Sequence, residues 1–234
     1  MDFFEGEILY INKPLHWTSF NVVNKLRWKI QKTLNIKKIK VGHAGTLDPL
    51  ATGVLIICTG GQTRRIDEFQ GQTKEYIAIL RIGQTTPSFD LELPVDNIFP
   101  TEHIDLELIK KIIPTFIGDI WQRPPAYSAV KIDGKRAYDY ARQGKDIEIK
   151  SKLLRIDEIE VLEFEKPLLT IRVVCSKGTY IRALARDIGE ALGSGAHLVS
   201  LCRTRIGDVT LKDCIGIEDA VQIIENECIK QTNN

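Results

Sequence analysis

The chain has 234 residues and a formal net charge of +1, and 43% of its residues are hydrophobic while 27% are charged. This composition is typical of a globular protein with a sizeable core and excludes a uniformly basic nucleic-acid-binding surface. No apolar stretch reaches membrane length, and the start of the chain lacks the pattern of an export signal. The five cysteines form no Cys-x-x-Cys pair, so we expect reduced thiols in the cytoplasm.

The first forty residues predict a strand followed by an amphipathic helix. The strand covers residues 6–12 and ends at Lys13-Pro14, and Thr18-Ser19 then offers a helix N-cap. Seven basic residues follow with no acidic residue between them: Lys25, Arg27, Lys29, Lys32, Lys37, Lys38 and Lys40. They form either a solvated helix face or a phosphate-binding face.

Residues 41–53, with the sequence VGHAGTLDPLATG, combine three glycines, a proline and two threonines. This composition favours a tight, specially shaped loop. The apolar run 54–58 comes next and predicts a buried strand. Asp48 is therefore either a turn carboxylate or a charge available for chemistry on a loop beside the core.

The middle of the chain predicts a turn and short helix over 60–69, a strand over 74–82, a polar loop over 83–100 and a helix from 106 to 116. Asp133-Gly134 then indicates a hairpin. Basic residues and tyrosines alternate around it, which suits either RNA contact with stacking or an ordinary surface hairpin.

The last third predicts strands over 147–149, 153–163, 168–175 and 199–202, and helices over about 180–192 and 217–228. No repeat or linker interrupts the pattern. We therefore expect one domain of the α+β class, with a mixed, largely antiparallel central sheet flanked by helices.

The string from His43 to Gly53 closely resembles the catalytic motif of the B-type (TruB) tRNA pseudouridine synthases. Further blocks occur in the family's order: residues 10–14 with 18–19, 74–76, 127–131, 175–182, and 195–198 with Leu201, Arg203 and Arg205. The resemblance covers nearly the whole chain. It implies a single catalytic domain over 1–234 with an RNA-binding hairpin insertion over about 123–150. Many members of the family also carry a C-terminal PUA domain; here we expect none, because the residues from 216 onward predict only a helix over about 217–228 and a polar tail.

The resemblance implies isomerisation of uridine to pseudouridine at position 55, in the T-arm loop of tRNA. Such an isomerisation breaks a C–N bond and forms a C–C bond on the same base, so no cofactor and no metal is expected. Asp48 is the implied nucleophile, attacking either C6 of the base or C1′ of the sugar. Arg182 is the implied cation that pairs with it.

The target base must leave its stack to react, and the resemblance implies how four residues assist. Tyr76 stacks on the base and assists proton transfer at C5, Tyr180 and Leu201 line the pocket, and His43 fills the space left in the RNA. Without the resemblance, Tyr76 and Leu201 are ordinary core residues, His43 is structural, and Arg182 is a solvated helix residue.

The expected partner is the T-arm stem-loop of tRNA, bound by a cytoplasmic monomer without a guide RNA or a membrane. One alternative is a non-catalytic tRNA-binding or RNA-folding protein. Another is a serine acyl enzyme, because residues 128–131 read S-x-x-K. Residues 177–179, however, read K-G-T and not the K-T-G that those enzymes require.

Overall fold

The computed structural model describes residues 1–3, 5–128, 130–132, 134–145 and 148–232. The strands are β1 Ile8–Lys13, β2 Val41–His43, β3 Ala51–Thr59, β4 Lys74–Ile82, β5 Gln84–Thr85, β6 Asn97–Ile98, β7 Gly118–Gln122, β8 Lys131–Ile132, β9 Lys135–Arg136, β10 Lys152–Glu165, β11 Leu168–Cys175, β12 Ala196–Ile206 and β13 Val209–Thr210. The α-helices are α1 Ser19–Thr33, α2 Ile66–Gly71, α3 Leu106–Ile112, α4 Ala137–Ala141, α5 Ile181–Ala191 and α6 Ile217–Thr232. Short 3₁₀ helices cover Gly60–Arg65, Ile113–Phe116 and Leu211–Asp213.

The chain divides into two compact units, one made of Met1–Glu75 with the segment from Cys202 onward, the other of Tyr76–Leu201. The boundaries fall inside two strands, β4 and β12. Each unit therefore contains residues from both of these strands.

In the first unit, β3 pairs antiparallel with β1, from Ile8 opposite Cys58 to Lys13 opposite Gly53. Its two faces are both buried. Leu55 and Ile57 belong to the hydrophobic core that contains residues of α1 and α6, whereas Val54, Ile56 and Cys58 belong to a second core that contains Phe69. Burial on both faces explains why residues 54–58 are apolar without alternation.

In the second unit, neighbouring strands follow the order β4, β11, β10 and β7. The pairing of β10 with both β11 and β7 is antiparallel. Helix α5 contributes buried apolar residues, among them Ile181, Leu184 and Ile188. The predicted fold class is confirmed: antiparallel pairing dominates the sheet and helices flank it.

Several predicted elements are confirmed, because local patterns determine them. β4 and β11 have the predicted bounds, and α1 begins after Thr18, whose side chain accepts a hydrogen bond from the backbone of Asn21. The hairpin is present as paired β8 and β9 with Gly134 at φ +82°, while Asp133 lies outside the described residues.

Other predictions are wrong in detail. The predicted strand over 199–202 is part of the eleven-residue β12, and residues 148–149 are not a strand, while residue 147 lies outside the described residues. The helix predicted over 106–116 ends at Ile112 and continues as a 3₁₀ turn, which accommodates Pro114. The predicted polar loop over 83–100 contains the short pair β5 and β6.

In the described part of the chain, no helix is long and apolar enough to cross a bilayer.

Candidate active site

The loop that carries Asp48 is tied to its surroundings through its backbone. The carbonyl of Asp48 accepts a hydrogen bond from Ala51 N at 3.0 Å, and the carbonyl of Pro49 accepts one from His16 N at 2.8 Å. Gly45 adopts φ +96°, a conformation that other residues rarely reach. The carboxylate is therefore presented, half-buried, from a defined backbone and not from a mobile turn.

Ser19 fixes the residue immediately before Asp48. Its buried hydroxyl accepts a hydrogen bond from Leu47 N at 2.8 Å and donates one to Leu47 O at 3.2 Å. The sequence predicts Ser19 as part of a helix cap and of one family block, but not this contact with Leu47. The hydroxyl satisfies two buried backbone groups that would otherwise have a desolvation cost.

Arg203 supports the loop from strand β12. Its side chain is 1% exposed, with Nε donating to Val54 O at 2.8 Å and Nη2 to Gly45 O at 3.0 Å. These bonds connect the loop to the first residues of the buried strand β3. The guanidinium also places a positive charge inside the unit, beside the residues that carry the motif.

Lys13 is a second buried cation near the loop. Its Nζ donates to Pro14 O at 2.8 Å and to Trp17 O at 2.5 Å. Burial lowers the pKa of Lys13 to about 8, the negative charge of Asp48 opposes this shift, and the positive charge of Arg203 adds to it. The sequence motif Lys-Pro was interpreted only as the end of a strand; the structure adds an electrostatic interaction between Lys13 and Asp48.

His43 ends β2 in the same unit. Burial lowers the pKa of its imidazole, the charge of Arg203 lowers it further, and a hydrogen bond with the backbone of Gly45 acts in the opposite direction. The ring is therefore neutral at physiological pH.

Arg182, in the second unit, is buried and not a solvated helix residue, so that alternative is wrong. Its side chain donates to Ser88 O at 3.2 Å and Tyr127 O at 3.1 Å. It also forms an ion pair with Asp90, Nη1 to Oδ2 at 3.5 Å. Asp90 lies in the predicted polar loop and was missed, because nothing in the local sequence distinguishes it from a surface carboxylate.

Tyr180 is the residue before α5, and its backbone is fixed by the side chain of Gln122. Tyr180 N donates to Oε1 of Gln122 at 2.9 Å, and Nε2 of Gln122 donates to Tyr180 O at 3.2 Å. Tyr76 on β4 and Leu201 on β12 are both buried, each with 8% exposure.

The predicted site residues belong to different units. Asp48 and His43 lie in the first unit, whereas Tyr76, Tyr180, Arg182 and Leu201 lie in the second.

The S-x-x-K string does not present an accessible nucleophile. Ser128 is 4% exposed, and its carbonyl accepts a hydrogen bond from Tyr138 N at 3.1 Å. Ala129, inside the string, lies outside the described residues.

Comparison with known proteins places these residues in a family. Residues 31–181 match the profile described as TruB family pseudouridylate synthase (N terminal domain), and residues 182–232 match the tRNA pseudouridylate synthase B C-terminal domain. A tRNA pseudouridine synthase B of Parabacteroides distasonis is 64% identical over 98% of both chains. One of Flavobacterium johnsoniae is 52% identical over 92% of this chain and 95% of its own.

A solved structure is also similar to this chain. A chain in the crystal structure of a Cbf5-Nop10-Gar1 complex is 32% identical with a TM-score of 0.70, aligned over 94% of this chain and 54% of its own. The present chain thus spans about half the length of that one. Since the two matched profiles together extend from residue 31 to residue 232, the chain belongs to the TruB family of pseudouridylate synthases.

Proposed function

We propose that this protein isomerises uridine to pseudouridine in tRNA, at position 55 of the T-arm loop, with Asp48 as the nucleophile. Family membership and the names of its relatives support the reaction and the substrate class. The observation that carries the proposal is the complete motif around Asp48, held by Ser19 and Arg203 beside the buried strand β3.

The reaction leaves the composition of the nucleoside unchanged. The C1′–N1 bond breaks, C1′ bonds to C5 of the same base, the proton leaves C5, and N1 gains a proton. A carboxylate suits this sequence, because it can add to C6 or to C1′ and later leave. In the RNA-bound enzyme, Arg182 supplies the positive charge that favours the ionised form of Asp48.

The remaining residues act on the extruded base. Tyr76 stacks on it and assists proton transfer at C5, and Tyr180 and Leu201 contact it from the sides. His43 occupies the space that the nucleotide leaves in the RNA loop. A neutral imidazole suits that role, since placing a charge between stacked bases would cost desolvation energy.

The test is tritium release from a T-arm stem-loop labelled at uridine C5, with wild type and Asp48→Asn in parallel. We expect release by wild type, a loss of about a thousandfold or more in the variant, and unchanged RNA binding in a filter assay. Wild type that binds the stem-loop without release would instead indicate a non-catalytic RNA-binding protein. A variant that keeps its turnover would exclude Asp48 as the nucleophile.

We further propose that one copy of the chain acts on the T-arm stem-loop in the cytoplasm, without a guide RNA. An activity that requires a second RNA would contradict the absence of a guide RNA. A turnover rate per chain that rises with protein concentration would contradict action by one copy.

A further inference from the structure

The long basic stretch of the sequence divides into two parts in the structure. Three of its first residues are engaged within the first unit. Lys25 forms an ion pair with Glu218 at 3.9 Å, Lys29 pairs with Glu225, and Arg27 donates to Val41 O at 2.8 Å. These contacts connect α1 with α6 and β2, which favours a structural role for the three cations.

The second part of the stretch borders an open cleft of about 400 Å³. Lys38 and Lys40 line one side, and Gly60, Gly61, Thr63 and Arg64 of the 3₁₀ helix line the other. Gly60 N donates to Lys40 O at 2.9 Å, which joins the two sides. Arg64 Nε donates to Gly61 O at 3.2 Å, so its guanidinium is held at the edge of the cleft.

The charge of this cleft is uncompensated in the described part of the chain. Lys38, Lys40 and Arg64 are all exposed, and none has a described carboxylate oxygen within 4.0 Å. The adjacent Arg65 shows the contrast, because it pairs with Glu68 at 2.8 Å. No acidic side chain is among the described residues lining the cleft. Three exposed cations that border one cleft suit a phosphate group.

The cleft lies far from the reacting carboxylate. Asp48 is hydrogen-bonded to Ala51, the first residue of β3, whereas Gly60 follows Thr59, the last residue of the same strand. Eight steps along a strand span about 26 Å. A phosphate in the cleft therefore belongs to a part of the RNA other than the nucleotide at Asp48.

We infer that the cleft between Lys38, Lys40 and Arg64 binds backbone phosphates of the tRNA outside the T-arm hairpin. The inference rests on the proposed function and assigns a binding site that the reaction itself does not require. With a net charge of only +1, the whole protein has little long-range attraction for RNA, so local cations of this kind must provide the electrostatic part of affinity.

The test is filter binding of whole tRNA over a salt series by Lys38→Gln/Lys40→Gln/Arg64→Gln. The matched control is Lys110→Gln/Lys111→Gln/Lys212→Gln, which removes the same charge from exposed positions elsewhere. We expect the cleft variant to bind at least about tenfold more weakly at low salt, with a log–log salt slope less steep by about 2–3. The control should bind like wild type.

A second arm uses a short T-arm hairpin, which should lose less affinity than whole tRNA, because it does not extend to the cleft. A cleft variant that matches the control, or an equal loss on both RNAs, would overturn the inference. Tritium release by wild type is measured in the same preparations. Its absence would refute the proposed function, whereas its presence alongside an unaffected cleft variant would refute only the phosphate site.

Discussion

At the scale of single residues, the motif aspartate is placed by side chains that the motif does not contain. Ser19 bonds to both backbone groups of Leu47, and Arg203 bonds to the carbonyl of Gly45. Lys13 adds a buried amine whose pKa responds to the charge of Asp48. Lys13 and Arg203 are thus two buried cations in the unit that carries Asp48, and their positive charge favours an ionised carboxylate there.

Lys13 leads to a prediction on pH dependence. Burial lowers its pKa from 10.5 to about 8 in the folded protein. Between these values the unfolded chain binds a proton that the folded protein lacks, so the contribution of Lys13 to stability rises as the pH increases. The free energy of unfolding of wild type, minus that of Lys13→Met, should increase by up to about 3 kcal/mol from pH 7.5 to 10.5.

The prediction compares the free energies of unfolding of wild type and Lys13→Met, because the titration of two cysteine thiols changes stability with pH in the opposite direction. Burial raises the pKa of Cys58 and of Cys214 to about 11, so these groups lower stability as the pH rises through that range. Urea unfolding at each pH measures both proteins. A difference that does not change with pH would contradict the altered titration of Lys13.

At the scale of elements, β3 is the strand that positions the motif, and Gly53 allows β12 to approach it. Gly53 adopts φ +106°, and a Cβ built there would lie 2.2 Å from Arg203 O. This contact is with backbone, which cannot move without disturbing the strand. Glycine at this position of the motif is therefore required by packing as well as by backbone conformation.

Replacing Gly53 by alanine should destabilise the protein by at least about 2 kcal/mol more than the same change at Gly118. Gly118 is the matched control, because it has a similar φ of +101° with no described atom within 4 Å of an added Cβ. Denaturant unfolding measures both variants. Equal losses would mean that strain at positive φ, and not the approach of Arg203, explains the glycine.

At the scale of the whole molecule, the end of the chain completes the core around its beginning. Ile217, Ala220 and Ile224 of α6 belong to the same hydrophobic core as Phe3, Leu9 and the buried face of α1. The ion pairs of Lys25 and Lys29 join the same helices at the surface. The core of the first unit therefore combines residues that are far apart in the sequence.

Ile224→Ala should consequently lower the free energy of unfolding by about 2–4 kcal/mol, because the side chain is fully buried. Ile98→Ala is the control of identical chemistry, since Ile98 is 77% exposed and should cost less than about 0.5 kcal/mol. Thermal or urea unfolding of the two variants decides the point. A loss at Ile224 no larger than at Ile98 would mean that α6 is not part of the core.

Features that depend on neighbouring residues could be predicted from the sequence. Residues 74–82 predicted β4, the apolar run 54–58 predicted the buried part of β3, and Thr18-Ser19 predicted the start of α1. The motif around Asp48 could be recognised in the sequence for the same reason, because its residues are contiguous. This motif and five further blocks in the family's order led to the family, and the comparisons confirm it.

The distant residues that support the site became visible only in the folded chain. Ser19 forms a hydrogen bond with Leu47, 28 residues away in the sequence, and Arg203 forms one with Gly45, 158 residues away. Arg182 forms an ion pair with Asp90, which lies in a different segment. It also decided that Lys25 and Lys29 contact α6, whereas Lys38 and Lys40 border a cleft with Arg64. Burial and ion pairing depend on which surfaces pack together. Lysines of the same basic stretch therefore acquire different partners only when the chain has folded.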